Sequence, residues 1–449
     1  MQKNCTTFLK IIFVAIMLFS LTGCGSFFQE DDRPNFLIIV TDDQRYDTME
    51  YMPNTQSLIF DQGVTFKNGF VTTPLCCPSR SSILTGMYVH NHGVVANETK
   101  LRHTTFMEIL HENGYYTGLV GKYLNSWKGE KRPEYDYWVS FFKGETVYYR
   151  PDLNVNGEWR RFGEDEYVTY LLGDYVIEFL KEASRESKPF ALLFAPNAPH
   201  QPTTPATEDL GLLTDIAPYR PPSFNEVDMS DKPEWISTRP FLTLEEINEI
   251  DTYRRDQLLT LISLDRTIGK VMAELERVGE LDNTVVIFLS DNGQFWGEHR
   301  FGTSKNRYYD ENVHVPFAVR YPPLAPNPYV ENKIVANIDI APTLFELAGI
   351  PIPDSVDGES LVKLLQKNGA WREYLLLEGG VLDGSYIGVR SERYFYGENN
   401  GYPEFYDMQA DPYQLQNLAN DPAYQDLATQ YKAVMDKLQQ PKFVPTVTP

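Results

Sequence analysis

An α/β domain followed by a small antiparallel sheet is the fold class this sequence predicts, on three observations. Two continuous apolar, β-rich runs, at residues 35–40 and 284–289, end on oxygen-bearing side chains: Thr41-Asp42-Asp43 and Ser290-Asp291-Asn292-Gly293. Such runs are typical of strands buried on both faces of a parallel sheet, and open α/β sheets place ligands beyond the C-terminal ends of their strands. Strand-like and helical patterns then alternate up to about residue 365, the mark of a doubly wound domain. Beyond that point only short strand-like segments separated by turns precede a last helix.

In chain order, further strands are predicted at 116–120, 190–194 and 315–320, and helices at 104–112, 166–186, 244–278 and 338–347. The small sheet is predicted from segments 374–377, 386–389, 394–397 and 404–408, and the terminal helix from 422–439. Pro-rich stretches at 196–205, 218–222 and 322–328 read as loops of the kind that line a cleft. The organisation is therefore 1–23 as a targeting segment, 24–34 as a tether, 35–365 as the main domain and 366–449 as a C-terminal subdomain. No internal repeat is present.

The 449 residues carry 42 % hydrophobic and 23 % charged side chains and a formal net charge of −22. This balance is globular and argues against a nucleic-acid partner, since binding phosphates needs a basic surface. An anionic substrate would require local Lys, Arg or a metal to overcome the surrounding field. At the N-terminus Lys3 and Lys10 flank and precede an apolar stretch at 11–21, too short to span a bilayer, for which ~20 residues are needed. Leu21-Thr22-Gly23-Cys24 resembles a bacterial lipobox, which implies lipidation of Cys24 and an exported lipoprotein held at a membrane, in the periplasm or at the cell surface. An ordinary signal peptide with a chance Cys is the alternative. Of four cysteines, Cys5 leaves with the signal and Cys24 takes lipid. Cys76 and Cys77 remain, adjacent and able to pair only as a strained vicinal bridge. Unpartnered thiols in an exported domain suggest chemistry.

The run Cys76-Cys77-Pro78-Ser79-Arg80, followed by Leu84-Thr85-Gly86, resembles the signature of the type I, formylglycine-dependent sulfatases. The resemblance implies an alkaline-phosphatase-like fold, with a large mixed sheet flanked by helices and a small C-terminal antiparallel sheet. In that family a maturation enzyme, formylglycine-generating or sulfatase-maturating, oxidises the signature Cys to formylglycine (3-oxoalanine). Cys76 has Pro at +2 and Arg at +4, whereas Cys77 has Ser at +2, so Cys76 is the matching thiol. The hydrated aldehyde offers two hydroxyls, one to attack sulfur and one to expel sulfate afterwards. Asp42, Asp43, Asp291 and Asn292 supply hard oxygen ligands suited to Ca²⁺. The resemblance implies that Ca²⁺ joins them to residue 76 and the sulfate.

The same resemblance implies that Arg80 steadies the nucleophile and the metal carboxylates. It further implies that Lys122 in Gly121-Lys122-Tyr123, His200 in Pro199-His200-Gln201-Pro202 and Lys305 downstream of Gly297-Glu298-His299 contact sulfate, with His200 protonating the leaving oxygen. Many members read Gly-Lys-x-His; here Leu124 takes the His position, followed by Asn125, so the base that activates the hydrate is unassigned. His92 or His299 could replace it, and Asn125 and His92 are candidate substrate contacts. Gly-Lys-Tyr-Leu-Asn, the Cys-Cys pair, Met87 to His92, Leu153 to Gly157 and Gly279 to Thr284 are similar to the glucosamine-6-sulfatase and heparan endosulfatase branch. The expected activity is removal of sulfate from a sulfated glycan, a 6-O-sulfated amino sugar of a glycosaminoglycan. Phosphodiester or phosphonate monoester hydrolysis with the same nucleophile, and an inactive glycan-binding surface lipoprotein, are the alternatives. Tyr135, Tyr137, Trp138, Tyr148, Tyr149 and Trp159 read as core or hairpin packing rather than as a sugar-stacking platform.

Overall fold

A computed structural model describes residues 31–379 and 385–440. The expected signal segment, Cys24 and most of the tether lie outside the described residues. The first sheet contains β1 (Asn35–Thr41), β2 (Val64–Phe70), β3 (Tyr116–Gly121), β4 (Tyr137–Ser140), β5 (Asp152–Val155), β6 (Glu158–Arg161), β7 (Phe190–Ala195), β8 (Thr284–Ser290), β9 (Phe317–Arg320) and β10 (Tyr329–Ala336). Their spatial order is β10-β2-β9-β8-β1-β7-β3-β4-β5-β6. The sheet is mixed: β1 pairs in parallel with β7 and β8, and β3 with β7 and β4, but β9 runs antiparallel to both β8 and β2. The doubly wound pattern thus holds for the centre and fails at the flanks. Sequence alone missed β2, β4, β5, β6 and β10. β4 is only four residues long, and the others mix apolar with charged or polar residues, so they lack the continuous apolar run of a central strand.

The register of the central strands sets the geometry of everything that follows. Thr41 of β1 is the partner of Ser290 of β8, and Asp291 N–H donates to Thr41 C=O at 3.0 Å. Gly121 of β3 is likewise level with Ala195 of β7. Four neighbouring strands therefore release their chains at one edge, each with its functional residues next in sequence. Gly121 is required there: its φ is +116°, and a Cβ would lie 2.0 Å from Ala195 O.

Both faces of the sheet are covered. Phe36, Ile38 and Val40 point to one core layer and Leu37 and Ile39 to the other, and all five are buried. The first layer is closed by α1 (Cys76–Thr85) and α2 (Phe106–Glu112), the second by α3 (Val168–Ala183) and α4 (Leu244–Arg277). α5 (Ile340–Leu347) returns to the first layer. α4 begins where Thr243 and Glu246 form a reciprocal capping box, which satisfies two of the free N–H groups of its first turn. Each fully buried Leu or Phe in these layers contributes about 1.5–3 kcal/mol relative to exposure.

The second sheet is an antiparallel meander of β11 (Leu375–Gly379), β12 (Tyr386–Arg390), β13 (Tyr394–Asn399) and β14 (Tyr402–Asp407). Tyr431 and Met435 of α6 (Gln425–Leu438) pack on it. Of the six aromatic residues singled out above, Tyr135, Tyr137, Trp138 and Tyr148 are buried in the core, while Trp159 is 48 % exposed. Among the described residues no helix is long and apolar enough to cross a membrane.

Candidate active site

Asp42 and Asp43 leave the end of β1, Asp291 and Asn292 the end of β8, Lys122 the end of β3, and His200 the loop after β7. Cys76 opens α1, and Lys305 lies in the long loop after β8. These eight residues and Arg80 of α1 meet at one edge of the sheet. Lys122 Nζ lies 2.6 Å from Asp42 Oδ2, and Arg80 Nε 2.8 Å from Asp291 Oδ2. Arg80 Nη2 also approaches Asp42 at 3.7 Å, and its Nη1 donates to Lys122 C=O at 3.1 Å. Lys305 Nζ pairs with Asp43 and sits 3.0 Å from Cys76 Sγ, which in turn is 3.7 Å from Asp42 Oδ1. His200 Nε2 is 3.8 Å from Asp43 Oδ2.

The electrostatics of this cluster are mutual. Burial alone would raise Asp42, but Lys122, His200, Arg80 and Lys305 outweigh it and hold the carboxyl well below its usual range. Asp291 goes the other way, pushed up to about 6 by burial and by the Asp42 charge against the pull of Arg80. Burial would lower His200, yet Asp42 and Asp43 push it up to about 9, so it carries charge at neutral pH. Lys122 and Lys305 are likewise raised despite burial, by Asp42 and Asp43 respectively.

Asp42, Asp43 and Asp291 each direct a carboxylate oxygen into a common space, all within 4.8 Å of one another. Asn292 Oδ1 is buried without a hydrogen-bond partner, while its Nδ2 faces Asp43. Amide oxygen and nitrogen exchange by a simple flip, so this orphaned oxygen is a fourth hard donor beside the three acids. Asp43 adopts φ +69°, a left-handed conformation uncommon for a side-chain-bearing residue, with its N–H donating to Asp291 at 3.1 Å. Strain of this kind persists where surrounding structure dictates it, here to turn two consecutive carboxylates into one centre. An all-oxygen set with three acids fits a divalent hard cation such as Ca²⁺.

The other sequence candidates fall outside this convergence. His92 is buried, its Nδ1 accepting from Val94 N–H at 3.0 Å and its Nε2 3.0 Å from Ser82 Oγ, so both ring nitrogens are engaged away from Cys76. Burial and then His103 push it down to about 3, so it is neutral. His299 is buried with Nδ1 2.6 Å from Glu226. Leu124 is buried in the core, and Asn125 Oδ1 is buried without a hydrogen-bond partner. Cys77 points away from the cluster, toward Thr99 O and Ser126 Oγ, and burial raises its thiol.

Two supporting residues escaped the sequence. Gln257 of α4 donates to Pro199 C=O at 3.3 Å and to Gln294 Oε1 at 3.0 Å, and accepts from Trp296 Nε1 at 2.6 Å. It thereby ties the His200 loop to the loop that carries Lys305. Asn97 accepts from Cys77 N–H at 3.0 Å and holds the start of α1. A polar Gln among the apolar positions of a long helix was the only signal for the first; the second had none.

A family profile described as "Sulfatase" matches residues 34–350, and one described as "N-sulphoglucosamine sulphohydrolase, C-terminal" matches 297–441. A Caenorhabditis elegans protein named putative extracellular sulfatase Sulf-1 homolog is 34 % identical over 82 % of this chain, which spans only 56 % of that relative's length. Human N-acetylglucosamine-6-sulfatase is 34 % identical over 81 % of this chain and 71 % of its own. A solved structure of a protein in complex with its substrate D-glucosamine-2-N,6-O-disulfate superposes with a TM-score of 0.80 at 24 % identity, covering 91 % of this chain and 98 % of that one. At that identity the superposition establishes the shared fold.

Proposed function

Since this chain belongs to the sulfatase family, we propose that it hydrolyses a sulfate ester of a carbohydrate, and that the substrate is a 6-O-sulfated amino sugar of a glycosaminoglycan. The observation that carries the proposal is the meeting of Cys76 with two lysines, His200 and three carboxylates at one sheet edge. The name of the human relative supports the choice of sugar and position.

Residue 76 as formylglycine hydrate, made from Cys76 by a maturation enzyme, supplies a hydroxyl nucleophile and a second hydroxyl to release the sulfate. Asp42, Asp43, Asp291 and Asn292 would hold the Ca²⁺, which would supply Lewis acidity when bound. Sγ of Cys76 marks where the reacting group sits, and Lys305 at 3.0 Å presents positive charge to sulfate oxygens brought there. Lys122, buried against Asp42, adds a second fixed cation that needs no reorganisation during reaction. Nδ1 of His200 lies 2.7 Å from the Gln201 carbonyl and so carries its proton there, which leaves Nε2–H facing the site. That proton is the one His200 gives to the departing oxygen. Arg80, bridging Asp291 and Asp42, holds both strand ends at a fixed separation.

The charge balance of the cluster suits an anion even in a chain of net charge −22. Arg80, Lys122 and Lys305 already match the three carboxylates, and charged His200 adds an excess that any bound cation enlarges. A panel of sulfated sugars, with a phosphodiester and a phosphonate monoester as controls, tests the activity. Inorganic sulfate should appear from the 6-sulfated amino sugar; turnover of the phosphorus esters alone would overturn the proposal. Peptide mass across residue 76 from native cells should show an aldehyde in place of the thiol. The proposal extends to export and lipid anchoring at Cys24, for which Cys24→Ala should release the protein from membrane fractions.

A further inference from the structure

The turn Phe142–Gly144 and the segment after it are tied to two residues of the catalytic cluster. Gly144, at φ +66°, packs on Lys122: a Cβ there would lie 3.2 Å from Lys122 Cε and 3.4 Å from Asn125 N. Lys143 N–H donates to Trp127 C=O at 3.0 Å, and the buried Tyr148 hydroxyl donates to His200 C=O at 2.9 Å. Between these anchors Phe142, Glu145 and Val147 form one wall of a recess of about 550 Å³, and His200, Gln201 and Pro202 form another. His200 is therefore shared: it reaches Asp43 at 3.8 Å and also lines the recess.

That sharing decides what the recess holds. The proton on His200 Nε2 goes to the departing oxygen, so the sugar that carries this oxygen lies beside His200. A recess of this volume takes a whole pyranose, so the substituents of the ring meet its walls. Phe142 and Val147, each 51 % exposed, offer apolar surface on which a sugar face packs. Among the charged wall residues, Arg150 pairs with Glu164 at 3.2 Å, Asp152 with Arg161 at 2.8 Å, and His200 faces Asp43. Glu145 forms no ion pair among the described residues. Beyond the cationic cluster that receives the sulfate ester, the uncompensated charge of the recess is thus one carboxylate, in a chain of net charge −22.

We infer that Glu145 is a specificity-determining residue, which selects amino sugars whose 2-amino group is free, and so cationic, over those in which it is N-sulfated. The inference rests on the proposed sulfatase activity and names the form of the amino sugar that this site accepts. An ammonium group is attracted by Glu145 and an N-sulfate is repelled by it, with an uncharged N-acetyl group between the two. Phe142 and Val147 pack on the ring whichever substituent it carries, so they add affinity without discriminating.

The test measures kcat/KM for sulfate release from glucosamine 6-sulfate, N-acetylglucosamine 6-sulfate and N-sulfoglucosamine 6-sulfate, below neutral pH where the free amine is charged. Wild type should rank them in that order. One attractive and one repulsive exposed charge contact of ordinary strength correspond to a ratio of about 10-fold between the first and the last. Glu145→Gln should bring that ratio near one, Glu145→Asp should keep most of it, and Arg150→Gln should leave it in place. A wild-type preference for the N-sulfated sugar, a ratio untouched by Glu145→Gln, or its loss in Arg150→Gln would overturn the assignment. Equal falls on all three sugars in Glu145→Gln, the mark of a merely structural role, would overturn it as well. Binding of the same sugars to Cys76→Ala protein, with and without Glu145→Gln, reads the selectivity without turnover. If wild type releases sulfate from none of them but the binding ratio still collapses in Glu145→Gln, the activity proposal fails and the selectivity stands.

Discussion

Glu404 on β14 and Asp42 just past β1 are both carboxylates taken out of water, and their surroundings differ in kind. Glu404 accepts from the hydroxyls of Tyr309 at 2.8 Å and Tyr406 at 2.7 Å, and also from Tyr308. Burial raises its carboxyl and the tyrosines oppose that shift. Its donors are neutral, short and specific to it. Asp42 instead shares a small space with two further carboxylates, four cationic groups and the Asn292 amide, and Arg80 Nη2 and Asn292 Oδ1 there have no hydrogen-bond partner. Buried polar groups that serve only the fold are expected to be fully hydrogen-bonded. At the strand ends the open valences fall where the three carboxylate oxygens converge.

The sharpest way to break this comparison is at Cys76. Cys76→Ala should lower kcat/KM by roughly 10⁴-fold or more, as expected when a covalent nucleophile is removed. Cys77→Ser, aimed away from the cluster, should keep activity within a few-fold. Equal losses from both would mean that the helix start, not residue 76, is what matters. Divalent-ion removal comes next. Stringent chelation should abolish sulfate release and lower thermal stability, with Ca²⁺ at about 100 times its Kd restoring roughly 2.7 kcal/mol. Among the described residues Glu404 belongs to no group of converging metal-ligating side chains, so a variant there should show the same Ca²⁺-dependent increment as wild type. Glu404→Leu strands three buried tyrosine hydroxyls and should cost about 2–3 kcal/mol in denaturant unfolding, with kcat per folded molecule unchanged. A matching fall in kcat would tie the small sheet to catalysis.

How much of this was legible in the sequence divides along the same line. The central strands were readable because burial on both faces forces a continuous apolar run, as in Leu37-Ile38-Ile39-Val40. The acids after them were readable because parallel strands in register end level, so that Asp42 and Asp291 become neighbours across 249 residues of chain. The flanking strands were not: β10, Tyr329–Ala336, mixes Glu331, Asn332 and Lys333 with apolar residues because one of its edges faces solvent. The hydrogen bonds of Gln257 join three segments far apart in sequence, which no local pattern reports. His92 was selected by its neighbourhood to the signature, but its place in the helix turn after α1 sends the ring into the core.

His92 and His200 give the finest test of the contrast, because burial wins at one and charge at the other. His92 sits near 3 in the folded protein against 6.5 in the unfolded chain, so below pH 6.5 only the unfolded state takes up a proton. Its contribution to stability is present above pH 6.5 and is lost as pH falls toward 3. The slope is about 1.4 kcal/mol per pH unit, or roughly 1 kcal/mol between pH 6.5 and 5.5. His200, raised to about 9, has the opposite sign: its contribution is complete below pH 6.5 and is lost as pH rises through about 9. Urea unfolding of chelated protein from pH 5 to 10 should therefore show His92→Gln flattening the acid side and His200→Gln flattening the alkaline side. A His92→Gln variant that left the acid limb as steep as wild type would show that its proton is not excluded by the core. It would return His92 to the candidates for the base that Leu124 cannot be.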